Sequence, residues 1–199
     1  KIKTTLEEGK SARTIEFTPE EEPLVKSLFL LTTKPVLYVA NISEEDVIAG
    51  GDNEMVKIVR DFAATEGAEV VTVCARIEEE VAELDDEEKA EFLAELGIKE
   101  SGLDQLIRKA YTLLGLGTYF TAGEKEVRAC TFRLGMKAPQ TAGIIHTDFE
   151  RGFIRAETVS YADLLAYGSM QAAKEAGKVR LEGKDYVVQD GDVMAFRFN

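Results

Sequence analysis

Two apolar, β-branched runs, Val36–Ala40 and Glu69–Cys74, stand on either side of one amphipathic stretch, and this order limits the fold more than any other feature of the chain. Short continuous apolar runs mark strands covered on both faces, as in parallel sheets. Between them Met55, Val56, Val59 and Phe62 repeat at helical spacing behind the loop Gly50-Gly51-Asp52, with Asp52 or Asn53 as the cap and Gly67 as the stop. Strand, helix and strand within about 40 residues predict a right-handed parallel crossover. Ligands of such sheets sit beyond the carboxyl ends of the strands, which is where Asn41 and Cys74-Ala75 fall.

Upstream, residues 1–17 are polar and basic-leaning with few apolar anchors, as expected for the tail of a helical element. Thr18-Pro19-Glu20-Glu21 has the residues of a helix start, with Thr as N-cap, Pro first and Glu third. Leu24, Leu28 and Leu31 then give one apolar face. Pro23 delays or bends the first turn, and Lys34-Pro35 ends the helix because the residue before proline avoids helical geometry. Downstream, Ile77–Leu96 holds two acidic helical stretches broken near Asp85-Asp86, either a partner surface or a solvated face. Leu103–Leu114 is a last amphipathic helix closed by Gly115.

From Thr118 the pattern changes to strands. Glu126–Phe132, Phe153–Val159 and Val193–Phe198 read as strands, Val179–Leu181 with Tyr186–Gln189 as a hairpin, and Ala138–Ile145 and Ala162–Tyr167 as helices. Strands around little helix in about 80 residues predict a small α+β roll.

The net charge of −13 is unevenly held. Residues 1–115 carry 13 Lys+Arg against 26 Asp+Glu, whereas residues 116–199 carry 11 of each. The step is a composition boundary between domains. Bulk acidity opposes non-specific nucleic-acid binding. Sequence-specific DNA binding is therefore not expected, and any RNA contact has to come from a local basic patch in the second part. No apolar run approaches the ~20 residues of a membrane span, no secretory-type segment is present, and no membrane partner is expected. Cys74 and Cys130 are isolated thiols that suit a reducing cytoplasm, and with the single His146 they make no zinc set. Lys1 in place of Met fits a fragment or a processed product.

The chemistry is concentrated at Asn41-Ile42-Ser43-Glu44. An Asn ending a buried strand is costly unless its amide is used, and Asn-x-x-Glu is close to the Asn-x-x-Asp with which GTPases read guanine. The Asn41 amide can donate to a purine ring nitrogen or accept from an adenine amine; alternatively it caps a turn. Glu44 either faces the base or caps the acidic turn with Glu45 and Asp46. A bidentate Asp–guanine contact demands close placement. One added methylene displaces both oxygens by about 1 Å or more, where an unpaired buried polar group costs ~1–3 kcal/mol. The exchange therefore argues that guanine is not the preferred base. No Gly-x-x-x-x-Gly-Lys-Ser/Thr phosphate loop occurs in the chain.

Thr18–Asn41, Cys74–Gly97, Leu116–Ala129, His146–Ala156 and Lys184–Asn199 together resemble the YchF-type, Obg-related ATPases of the translation-factor class, a likeness covering nearly everything after residue 17. The resemblance implies an α/β fold: the C-terminal part of a parallel-sheet P-loop nucleotide domain with the remnant of a helical insertion, followed by an α+β β-grasp (TGS, ubiquitin-like) domain. It makes residues 1–31 the returning helical arm, 32–115 the rest of the nucleotide domain and 116–199 the TGS domain. By the same resemblance Asn41, Ile42, Ser43, Glu44, Cys74 and Ala75 bind the base of ATP, Ile42 lining the adenine and the small Cys74-Ala75 letting backbone N–H groups approach it. The segments that hold the phosphates and Mg²⁺ and position the attacking water lie outside the chain. No catalytic and no metal-ligating residue is therefore assigned, and the chain alone is expected to hydrolyse negligible nucleotide. The implied partner is the ribosome or ribosomal RNA, met by the TGS and helical domains, in the cytoplasm, with a role in translation or stress response. A GTPase and a non-enzymatic RNA- or ribosome-binding module are the alternatives.

Three features are left open by the residues alone. Arg76 covers the base or faces solvent. His146 caps a turn or meets RNA or a partner. Arg128, Arg133, Lys137, Arg151, Arg155, Lys178 and Arg180 either share a phosphate-binding surface or are scattered solvated charge.

Overall fold

The computed structural model describes residues 1–123 and 126–199, which fall into two units, Lys1–Leu113 and Leu114–Asn199. The polar N-terminal segment holds two short α-helices, α1 (Ile2–Glu7) and α2 (Glu22–Ser27), and the 3-10 turns Ala12–Thr14 and Leu31–Thr33. The helix expected from Thr18 to Leu31 is thus corrected to six residues. Thr18 and Glu21 do exchange both bonds of a capping box, at 3.0 and 3.3 Å, yet regular helix starts only at Glu22. Pro23 falls in that first turn, where its missing N–H costs nothing. Phe29, with φ of 50°, then takes the left-handed conformation, uncommon for a bulky side chain. Leu24, Leu28 and Leu31 are 70%, 56% and 76% exposed, so their spacing marks a face that the described residues leave bare.

A polar clasp holds this segment down. Glu66 accepts from Ser11 Oγ at 2.8 Å, Tyr38 Oη at 2.9 Å and Arg13 Nη1 at 3.1 Å, while Arg13 Nε donates to the Lys34 carbonyl at 2.9 Å. The Ser11 and Tyr38 hydroxyls, and then the Arg13 charge, hold the Glu66 carboxyl below its ordinary value. A depressed folded value means the clasp is fully present above the ordinary carboxylate range and is lost as pH falls through the folded value. Glu66→Gln is expected to speed amide exchange across residues 11–17 at neutral pH. The unsubstituted chain should show the same change only as pH falls below the ordinary carboxylate range. Equal protection in both chains at neutral pH would show that the clasp does not hold the segment.

Beyond it, β1 (Leu37–Asn41) and β2 (Glu69–Val73) pair in parallel, from Leu37 opposite Glu69 to Asn41 opposite Val73. They are joined through α3 (Glu44–Ile48) and α4 (Glu54–Thr65), the latter capped by Asn53, whose Oδ1 accepts from the Val56 N–H at 2.9 Å. The expected burial of both strand faces is corrected: Val39 is 48% exposed, because this sheet has two strands. Asp85 and Glu88 form a capping box that separates α5 (Ala75–Ala82) from α6 (Asp86–Glu95). Cys74, Ile77, Val81 and Leu93 pack as the apolar core beneath them. The next helix, α7 (Gly102–Leu113), starts at a glycine for a steric reason: a Cβ on Gly102 would stand 2.8 Å from Val73 Cγ1.

The second unit comprises β3 (Leu116–Ala122), β4 (Val127–Arg133), α8 (Ala138–Ile145), α9 (Thr147–Arg151), β5 (Phe153–Ser160), α10 (Tyr161–Tyr167), α11 (Met170–Glu175), β6 (Arg180–Glu182) and β7 (Asp192–Phe198). Its sheet runs β4-β3-β7-β5-β6, with β3 and β7 parallel and the other pairs antiparallel, the order of a β-grasp. Tyr119, Phe132, Phe153, Ala156 and Met194 face α8 as the core. The expected hairpin of Val179–Leu181 with Tyr186–Gln189 is corrected: β6 pairs with β5, and only an isolated Lys137–Val187 bridge involves the second stretch. The chain there is committed to Asp192, which is 3% exposed and accepts from Tyr186 Oη at 2.7 Å and the Gln189 N–H at 2.9 Å. Burial, and next the bond to Asp192, push the Tyr186 hydroxyl up to about 12.

Candidate nucleotide-base site

The parallel register brings the ends of β1 and β2 level, so Asn41 and Cys74 emerge at the same sheet edge. The Ile42 N–H donates to the Val73 carbonyl at 2.8 Å, extending the ladder by one bond. Asn41 Oδ1 accepts from the Ala75 N–H at 3.1 Å, bridging the two strand-end segments. Since a backbone N–H can only donate, the amide orientation is fixed: oxygen to Ala75, and two N–H donors left over. Of the two uses of the amide left open by the sequence, donation to a ring nitrogen is the one that remains directly on offer.

Asn41, Ile42, Ser43, Glu44, Cys74 and Ala75 all line one cavity of about 470 Å³, together with Glu45 and Arg76. Their side chains are not equally free. Ser43 is the N-cap of α3: its Oγ donates to Asp46 Oδ2 at 2.8 Å and accepts from the Asp46 N–H at 3.2 Å. That hydroxyl, and next the Asn53 side chain, hold the Asp46 carboxyl below its ordinary value. Cys74 is 5% exposed and its side chain belongs to the core with Ile77, Val81 and Leu93. What it offers the cavity is backbone, as its small size predicts. Ile42 and Cys74 also line a smaller adjoining cavity of about 220 Å³ with Thr72, Ser101 and Gly102.

Glu44 and Arg76 resolve each other. Arg76 Nε lies 2.8 Å from Glu44 Oε1 and 3.7 Å from Glu80 Oε1. The pair spans the mouth of the cavity from α3 to α5. Nothing local in the sequence signals it, because its two halves sit 32 positions apart and meet only through the parallel register. Among the described residues no group of three or more His, Cys, Asp or Glu gathers to hold a metal.

A third cavity, of about 510 Å³, opens at the opposite strand edge between Ile15, Phe17, Val25, Pro35 and Val36. Its charged residues already satisfy one another, Arg13 with Glu66 and Lys26 with Glu22. It therefore lacks the convergent free polar groups of a binding site. His146 lies in the second unit as the N-cap of α9, its Nδ1 accepting from the Asp148 N–H at 3.2 Å. That bond requires an unprotonated Nδ1, so the 3.5 Å approach of Asp148 Oδ2 is secondary. Of the seven basic residues singled out in the second part, Lys137, Lys178 and Arg180 are paired with Asp185, Asp163 and Glu182.

A parallel strand–helix–strand unit with a cavity at its carboxyl edge, followed by a β-grasp, places the chain among mixed α/β proteins with parallel-sheet elements. Residues 116–199 match the family YchF-GTPase_C, described as a protein of unknown function (DUF933). The whole chain is 67% identical to the ribosome-binding ATPase YchF of Bacillus subtilis (strain 168), covering 54% of it. It is 45% identical over 181 residues to Obg-like ATPase 1 of Danio rerio, covering 90% of the chain and 45% of that protein. The solved YchF GTPase of Schizosaccharomyces pombe superposes with a TM-score of 0.85 at 37% identity, over 96% of the chain and 50% of that structure. The chain belongs to the YchF family. It spans about half the length of the curated relatives it matches.

Proposed function

We propose that the chain supplies the base-recognising edge and the C-terminal β-grasp of a ribosome-associated, ATP-hydrolysing protein. The observation that carries this reading is Asn41, whose oxygen is committed to Ala75 and whose two N–H donors border a cavity lined by every residue of the motif. An amide donor suits a purine ring nitrogen, while Ile42 supplies apolar surface and Cys74-Ala75 a close backbone. Glu44 supports adenine over guanine: to accept from guanine it would have to release Arg76. An exposed pair of that kind contributes only about 0–1 kcal/mol, so it adds to the displacement caused by the longer side chain rather than deciding alone. The names of the relatives, ribosome-binding ATPase and Obg-like ATPase, favour the same assignment. In this reading the parts of the longer relatives beyond this chain grip the phosphates and Mg²⁺, residues 1–31 and the TGS-type second unit meet the ribosome in the cytoplasm, and the cycle regulates translation or the stress response.

Ribosome pelleting with parallel ATP-turnover measurements tests the proposal. The 199-residue chain is expected to co-sediment with ribosomes at physiological salt whether or not ATP is present. Its magnesium-dependent turnover is expected to be negligible, because phosphate and metal contacts supply most phosphoryl-transfer catalysis. Absence from the pellet sinks ribosome association. Turnover at the rate of a full-length relative sinks the assignment of catalysis to segments outside this chain.

A further inference from the structure

The outer face of the β-grasp sheet is covered at one end and bare at the other. Val159 of β5 and Val193 of β7 are buried beside Ala173 of α11, with Phe120 of β3 packed against them. Side chains two residues apart on a strand share a face. The register therefore carries this face on to Glu157 opposite Ala195, and to Arg155 opposite Arg197. Both arginines are exposed. Beside them Ala122, Ala129 and Ala195 continue the same face, with the 75% exposed Val127 opposite Ala122, making a largely small-residue, apolar shelf on which an extended chain can lie.

Charge on the shelf is unbalanced. Like charges directly opposite one another destabilise a strand pair. One carboxylate, Glu157, lies 3.2 Å from Arg197 Nη2 and 3.9 Å from Lys174 Nζ. Arg155 has no carboxylate in ion-pair range among the described residues. Among the described residues three cations thus share one anion, in a stretch (residues 116–199) whose total Lys+Arg and Asp+Glu are equal. Arg197 and Lys174 escape a reading by local sequence, since neither stands in a basic run.

Resting on the ribosome association proposed above, we propose that this shelf binds the phosphate backbone of RNA, with Arg155 and Arg197 each engaging a phosphate. Arginine forks match phosphate oxygens, and a floor of alanines offers no hydrogen-bonding group to base edges, so binding is independent of sequence. The acid excess of residues 1–115 keeps overall affinity low; the shelf sets the differences between variants.

Fluorescence anisotropy of a labelled oligouridylate with the 199-residue chain, titrated in salt, tests this. Arg155→Gln with Arg197→Gln is expected to weaken binding roughly tenfold and to lower the log–log salt slope by about 1.4, or 0.7 for each phosphate of a single strand that is no longer neutralised. Arg155→Gln alone should weaken binding while leaving the melting temperature unchanged or raised, because a like-charge pair is relieved. Arg133→Gln, at the far end of β4, should change neither affinity nor slope. Unchanged binding in the double variant, or an equal loss in Arg133→Gln, overturns the proposal. A chain that pellets with ribosomes yet fails to bind oligouridylate overturns the shelf and leaves ribosome association standing; a chain that does neither overturns both.

Discussion

Tyr119→Ala is expected to destabilise the second unit by about 3–5 kcal/mol, the range for emptying a fully buried aromatic site. The ring is 0% exposed and meets Phe132 and Phe196 edge-on, each with centroids 5.9 Å away. Its hydroxyl donates to the Thr141 carbonyl at 2.8 Å, tying β3 to α8. Domains are typically stable by only ~5–15 kcal/mol, so such a loss takes a unit of this size near its unfolding midpoint at ambient temperature. Tyr119→Phe keeps the ring and removes only the hydrogen bond, and should cost about 1–2 kcal/mol. Urea unfolding followed by circular dichroism separates the two variants. Equal losses would mean that the hydroxyl, rather than the ring, carries the packing.

Asn41→Ala, introduced into a chain of its relatives' full length, should weaken adenine-nucleotide binding by about 10–100-fold, the equivalent of one or two lost hydrogen bonds. Two losses are mixed in that number, the donors to the base and the tether to Ala75. Asn41→Asp separates them. A carboxylate still accepts from the Ala75 N–H, so the strand ends stay joined and stability holds, but nothing remains to donate to a ring nitrogen. Binding should fall at least as far as in the alanine variant. If Asn41→Asp binds ATP like the unsubstituted protein, the amide is a tether and the base is recognised elsewhere. Glu44→Asp in the same chain is expected to narrow the preference for ATP over GTP in competition, since it restores the shorter reach and loosens the pair with Arg76. An unaltered preference would place discrimination away from Glu44.

What could be read along the chain followed from how far each signal reaches. The parallel pair was legible because five consecutive apolar residues, a capped helix and a second such run leave few other arrangements. The break between α5 and α6 was legible because Asp85 and Glu88 are capping residues at capping distance. Illegible elements had their cause elsewhere in space. Leu24, Leu28 and Leu31 have helical spacing, yet the helix stops at Ser27. Tyr186–Gln189 has strand-like residues, yet its backbone pairs with Met136–Ala138, outside any strand, while the Tyr186 hydroxyl and the Gln189 N–H go to Asp192. At the candidate base site the six proposed residues sit in two runs of contiguous sequence, which is why a family resemblance could single them out and why one cavity can border them all. The Glu44–Arg76 pair and the Glu157–Arg197 pair needed strand register, which no local pattern encodes.

The two-stranded ribbon of β1 and β2 has a consequence for how this half of the chain meets other polypeptide. Among the described residues each strand is laddered on one flank only, and an unpaired strand flank is a template on which further chain can pair. A strand added there would gain its ladder without any bond between β1 and β2 having to break, and it would have to follow the right-handed twist common to such ribbons.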